Sequence, residues 1–121
     1  MLIDAHLDLA MNALYIDRDV TGSALETRAR EGANPRCGNS TVGLADLRRG
    51  RFGMCFATVS VLAHRAWKPL GELNFKSIDE AHQQGRDQIA FYRSLEAAGH
   101  VRIITDAASL EAHLTAWNAD P

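Results

Sequence analysis

His6-Leu7-Asp8 sets an imidazole and a carboxylate one residue apart. In an extended strand, positions i and i+2 point to the same face. Both donors can therefore converge on one ion, and Zn²⁺ accepts nitrogen and carboxylate oxygen alike at about 2 Å. Five histidines and nine aspartates make roughly 0.4 such triplets by chance, so the alternative reading is an incidental or structural pair. Position favours the metal. The triplet closes the first strand of the chain, at the rim where α/β folds place their sites, and a buried Asp there is costly unless something compensates its charge.

Other residues carry weaker versions of the same chemistry. His64, followed by Arg65, falls at the carboxyl end of the second strand, where it can line a pocket or stand in a solvated loop. His82 and His113 occupy helical positions and His100 a turn, which reads as surface or packing. Arg18, Arg28, Arg30 and Arg36 lie in a polar segment and can grip a substrate carboxylate through paired N–H groups; the plainer reading is that they face water. Trp67 and Trp117 read as packing residues. Cys37 and Cys55 form neither a disulfide framework nor a CxxC site, and are expected as reduced thiols with Cys55 filling core.

The elements that must position these groups follow from the periodicity. Residues 2–6 read as a strand with His6 and Asp8 at its end, and 10–16 as one helical turn. Residues 17–41, polar, Arg-rich and broken by Gly22, Gly32, Asn34-Pro35 and Gly38-Asn39, read as a long loop of the kind that shapes an active site. Ser40-Thr41 as N-cap, Leu44, Leu47, Arg48-Arg49 and Gly50 spell a short helix. Phe52 to Ala63, nearly all apolar, predicts one strand buried on both faces of a parallel sheet. After a loop with Trp67, Pro69 and Gly71, the Ser77-x-x-Glu80 capping box opens a helix. Its apolar stripe runs through Ile78, Ala81, Gly85, Ile89, Tyr92 and Leu95, and it stops at Gly99. Val101–Thr105 reads as a strand, and Asp106 caps a last helix with Leu110, Leu114 and Trp117 on one side. Alternation of strand and helix is the signature of βα units and a mostly parallel α/β sheet.

Composition bounds the rest. The chain has 121 residues, a formal charge of -2 and 46% hydrophobic residues. That balance fits one soluble domain and lacks the basic footprint of a nucleic-acid binder. No apolar run reaches the roughly 18 residues of a membrane span, and no signal segment opens the chain, so a cytoplasmic location is expected.

Leu-Ile-Asp-Ala-His-Leu-Asp-Leu at 2–9, Val42-Gly43-Leu44-Ala45-Asp46-Leu47-Arg48-Arg49-Gly50 leading into Phe52–Val61, and the long helix before Val101–Thr105 together resemble the start of the membrane (renal-type) dipeptidases, a family of zinc-dependent amidohydrolases. The resemblance spans essentially the whole chain, with its specific content in the His-x-Asp and Asp-Leu-Arg-Arg-Gly segments. It implies a (β/α)8 barrel of TIM type holding two zinc ions, with His6 and Asp8 as the first-strand metal ligands. It also implies a dipeptide substrate, hydrolysed by a hydroxide that the two ions share, and an enzyme that is often a homodimer. The family's bridging glutamate in a Gly-(Ile/Val)-Glu-Gly motif, its two later histidines and its proton-handling aspartate have no matching position here, so no catalytic residue is assigned. Animal members place a tyrosine near the position of Val61, which leaves substrate preference open.

A (β/α)8 barrel takes about 250 residues. Residues 1–121 are thus expected to be the N-terminal portion of one metallo-hydrolase barrel, incomplete in this chain and inactive alone. Two other readings remain: a non-catalytic α/β domain that binds a ligand or partner at its strand ends, and an amidohydrolase of another branch, most of which carry His-x-His on the first strand.

Overall fold

The computed structural model describes residues 1–33, 37–63 and 74–119. Strand β1 (Leu2–Leu7) lies parallel to β2 (Phe52–Ala57), pairing Leu2 with Phe52, Asp4 with Cys55 and Leu7 with Ala57 through an irregular register. Parallel neighbours require a crossover. Here it comprises α1 (Leu9–Ile16), α2 (Ala24–Glu31) and α3 (Leu44–Arg49). Short strands β3 (Leu62–Ala63) and β4 (Asn74–Phe75) form a second parallel pair, and α4 (Ile78–Ala97) and α5 (Ala107–Ala119) complete the described elements. The architecture is mixed α/β with parallel pairing, as the alternation of patterns predicts.

The core gathers where β1 runs into α1. Leu7, Leu9, Val20, Leu44 and Leu95 are buried together, with Ala13, Cys55, Phe91 and Tyr92 packed against them. Each fully buried leucine contributes about 1.5–3 kcal/mol, and this cluster fixes the carboxyl end of β1 against α4.

The first departure from expectation is in residues 17–41, which hold a helix where a loop was predicted. Ser23 accepts from the Leu25 N–H at 3.2 Å while the Glu26 carboxylate accepts from the Ser23 N–H at 3.2 Å, a complete capping box. The segment Ala-Leu-Glu-Thr-Arg-Ala-Arg-Glu lacks an apolar stripe because polar contacts dock it: the Asp46 carboxylate accepts from the Ala24 N–H at 2.7 Å. This bond at a helix start holds the Asp46 carboxyl below its ordinary range. Helix α3 is capped by Gly43 in place of the expected Ser40-Thr41, because the backbone at 43 packs directly on Gly22 and Leu44 N–H bonds to Val20 O at 2.8 Å.

The single buried strand expected over 52–63 is two elements, with ladder pairing ending at Ala57. Phe56 is 60% exposed, since the described helices do not cover that side of β2. Beyond Ala57 the Thr58 N–H still reaches Leu7 O at 3.1 Å, but Ser60 is bonded by a side chain of α4.

The Ser77 cap of α4 is as predicted, with Ser77 Oγ accepting from the Glu80 N–H at 3.2 Å. The Glu80 carboxylate reaches one residue further back than the motif implies, to the Lys76 N–H at 2.7 Å. At the other end Gly99 adopts φ +76°, while Gly99 N–H bonds to Glu96 O and His100 N–H to Leu95 O. These are the paired bonds of a Schellman stop. The inward face keeps Ala81, Gly85, Tyr92 and Leu95 of the predicted stripe but also takes in Gln84 and Gln88, which are buried, and leaves Ile78 and Ile89 exposed.

Val101–Thr105 is not a strand. Ile103 N–H bonds to the Glu96 carboxylate at 2.7 Å, so this residue's donor is spent on a side chain. Asp106 caps α5 as expected, accepting from the Ser109 N–H at 2.7 Å. Helix α5 leans on β2 through His113, whose Nε2 lies 2.8 Å from Gly53 O, and through Trp117, over which the Arg51 guanidinium sits at 5.0 Å. Among the described residues no helix is long and apolar enough to cross a membrane.

Candidate functional site

Strand β1 delivers His6 and Asp8 to its carboxyl end as the i, i+2 geometry requires. His6 Nε2 and Asp8 Oδ2 stand 3.3 Å apart, the His6 side chain 73% exposed and that of Asp8 28%. Asp8 occupies the N-cap position of α1 without capping it by its side chain. Its backbone carbonyl takes the load instead, accepting from Asn12 N at 3.1 Å and Asn12 Nδ2 at 2.8 Å. The carboxylate is thereby left to face the sheet.

There it meets two hydroxyls from the chain just past β2. Thr58 Oγ1 and Ser60 Oγ both donate to Asp8 Oδ1, the latter at 3.3 Å. Helix α4 holds each of these residues by the backbone. Tyr92 Oη donates to Thr58 O at 2.7 Å and accepts from the Ala10 N–H at 3.2 Å, bridging the end of β2 to the start of α1. Burial pushes the Tyr92 phenol above its ordinary pKa, against the pull of the Ala10 N–H, and the Asp8 charge adds to the rise. One turn earlier, fully buried Gln88 accepts from Ser60 N at 2.9 Å and donates to Ser60 O at 2.7 Å.

Asn12 connects this centre to the segment beyond α1. Arg18 donates to Asn12 Oδ1 at 2.8 Å, to Glu31 Oε1 at 2.6 Å and Oε2 at 3.1 Å, and to Gly38 O. The residue is 8% exposed, so it is an internal tie and not a grip for substrate. Arg28 likewise spends its Nε on Ser40 O, and Arg30 bonds Thr27 Oγ1 at 3.2 Å.

Among the described residues the other histidines do not join the pair. His82 is exposed on α4, His113 packs on Trp117, and His100 offers its backbone carbonyl to Arg48 at 2.6 Å. Among the described residues no third His, Cys, Asp or Glu gathers with two others as a metal-holding group. Cys55 is half-buried against the core, its thiol pushed up by that burial and by Asp4, as a core filler should be. His64, Arg65, Trp67 and Arg36 lie outside the described residues.

Set against protein-family models, curated proteins and solved structures, the chain matches none of them.

Thr58, Ser60, Tyr92 and Gln88 were not legible as site residues in the sequence. The available signal was the pair of hydroxyls two apart at the end of an apolar run, the same i, i+2 relation that marks His6 and Asp8.

Proposed function

We propose that the chain carries the first-strand metal ligands of a zinc-dependent dipeptidase of the membrane (renal-type) kind, built on the opening βα units of a (β/α)8 barrel. The observation that carries this reading is the 3.3 Å approach of His6 Nε2 to Asp8 Oδ2 at the carboxyl end of a parallel strand. Two donors each about 2.0–2.1 Å from a tetrahedral zinc stand about 3.3 Å apart. The donor set, one imidazole nitrogen and one carboxylate oxygen, is one that zinc takes. It falls short of the three protein ligands that catalytic zinc sites typically use. Further donors must therefore come from outside the described pair.

When bound, zinc lowers the pKa of water toward neutrality and polarises a carbonyl, the chemistry that peptide hydrolysis needs. The chain's own contribution is positional: β1 aims both donors, and Asn12 holds the Asp8 backbone.

The same 3.3 Å also serves a simple imidazole–carboxylate contact, and titration with zinc separates the two. The His6 ring resonances should shift with weak affinity while those of exposed His82 stay still, Asp8→Asn should remove the shift, and the 121-residue chain should hydrolyse no dipeptide. A His6 ring unmoved by zinc, or one no more responsive than His82, refutes the metal reading.

A further inference from the structure

A carboxylate oxygen offers two lone-pair directions. Asp8 Oδ1 accepts from both Thr58 Oγ1 and Ser60 Oγ, which fills them, whereas Oδ2 faces His6 Nε2. The two oxygens of one carboxylate are thus given different tasks. We infer that Thr58 and Ser60 are the positioning residues of Asp8: their hydroxyls lock its side chain in one rotamer and leave Oδ2 as the single oxygen presented beside His6.

The hydroxyls can do this because their own backbones are held. Tyr92 and Gln88 stand one turn apart on α4 and fasten Thr58 O and both backbone groups of Ser60. Gln88 is fully buried, so its amide is not shared with solvent. Helix α4 is itself fixed by Leu95 in the core cluster. The result is a chain of contacts from core to helix to hydroxyl to carboxylate. Groups that orient metal ligands in this way typically change affinity by about 10- to 100-fold when removed.

The claim about the rotamer stands without any metal; only its consequence for binding rests on the metal reading above. Three-bond Hα–Hβ couplings of Asp8 report the rotamer in the 121-residue chain. The wild type should show one χ1 state, Thr58→Val/Ser60→Ala should show averaged couplings, and Thr58→Ser, which keeps the hydroxyl, should restore the single state. Zinc, followed at the His6 ring, should bind about 10-fold more weakly to the double variant than to the wild type and equally well to Thr58→Ser. Should the double variant fold poorly, Ser60→Ala alone leaves the Gln88 clamp on the backbone intact and should give partial averaging. Unchanged Asp8 couplings in the double variant and in Ser60→Ala overturn the inference, and a zinc affinity equal to wild type alongside averaged couplings overturns its consequence for binding. Averaged couplings together with a wild-type His6 ring unmoved by zinc uphold the positioning role and refute the metal reading instead.

Discussion

Arg18 and Glu31 share two hydrogen bonds, at 2.6 and 3.1 Å, that close the chain from the end of α1 to the end of α2. The Arg18 side chain is 6% exposed and that of Glu31 20%. Removing the Glu31 charge leaves Arg18 the Asn12 Oδ1 and Gly38 O acceptors but takes away its carboxylate, and a hydrogen bond to a charged group contributes about 1.5–3 kcal/mol. Glu31→Gln should lose a large part of that in urea unfolding; an unchanged midpoint would mean that the pair stabilises nothing.

The same pair predicts a pH dependence. Hydrogen bonding from Arg18 holds the Glu31 carboxyl below its ordinary 4.5. A depressed carboxyl adds stability that is fully present above the unfolded value and is lost as pH falls through the folded one. Wild-type stability should therefore decline below about pH 4.5 more steeply than that of Glu31→Gln. Parallel acid limbs for the two proteins would contradict this assignment.

Two glycines should respond with opposite sign to the same substitution. A methyl group at Gly43 would overlap the backbone carbonyl of Gly22, where no flexible side chain can yield. Gly43→Ala should cost about 1–3 kcal/mol, the usual range for overpacking. At Gly85, inside α4, the new methyl would meet only Val59 Cγ1 at 3.7 Å. There alanine should gain about 0.5–1 kcal/mol from helix propensity. Thermal melts of the two variants read both signs together, and a destabilised Gly85→Ala would show that the α4–Val59 contact is tighter than described.

Gln88→Leu keeps the size of the side chain but replaces its amide with an apolar group, abandoning the Ser60 N–H and C=O. Each unsatisfied buried group costs about 1–3 kcal/mol. The variant should unfold at clearly lower denaturant and lose amide-exchange protection at Ser60. Full protection at Ser60 in that variant would show that water or another group replaces the amide.

Sequence and structure agree where one local rule decides the outcome. The strand-ending His6-x-Asp8, the Ser77 and Asp106 caps and the Gly99 stop each depend on neighbours within a few residues. They part company where a distant polar group decides. Helix α2 has no apolar stripe to announce it, because Asp46 and Arg18 dock it by hydrogen bonds. Val101–Thr105 has the composition of a strand, yet Glu96 takes the Ile103 N–H that a ladder would use. The face of α4 follows hydropathy at Ala81, Gly85, Tyr92 and Leu95 and departs from it where Ile78 and Ile89 stand outside and two glutamines inside, because Ser60 recruits Gln88 inward. At the site, the His6–Asp8 pair was readable from spacing, and the hydroxyls that hold Asp8 were not, since their partner lies about fifty residues earlier.

The clamp of Gln88 on Ser60 also closes the backbone of that residue to strand pairing. An open strand edge invites any passing strand to add on, and folds guard such edges by covering or occupying them. By filling both hydrogen-bonding groups of Ser60 with one side chain, α4 denies that position to an intruding strand. The short stretch that carries both hydroxyls bonded to Asp8 is therefore committed to α4 and not to a neighbouring strand.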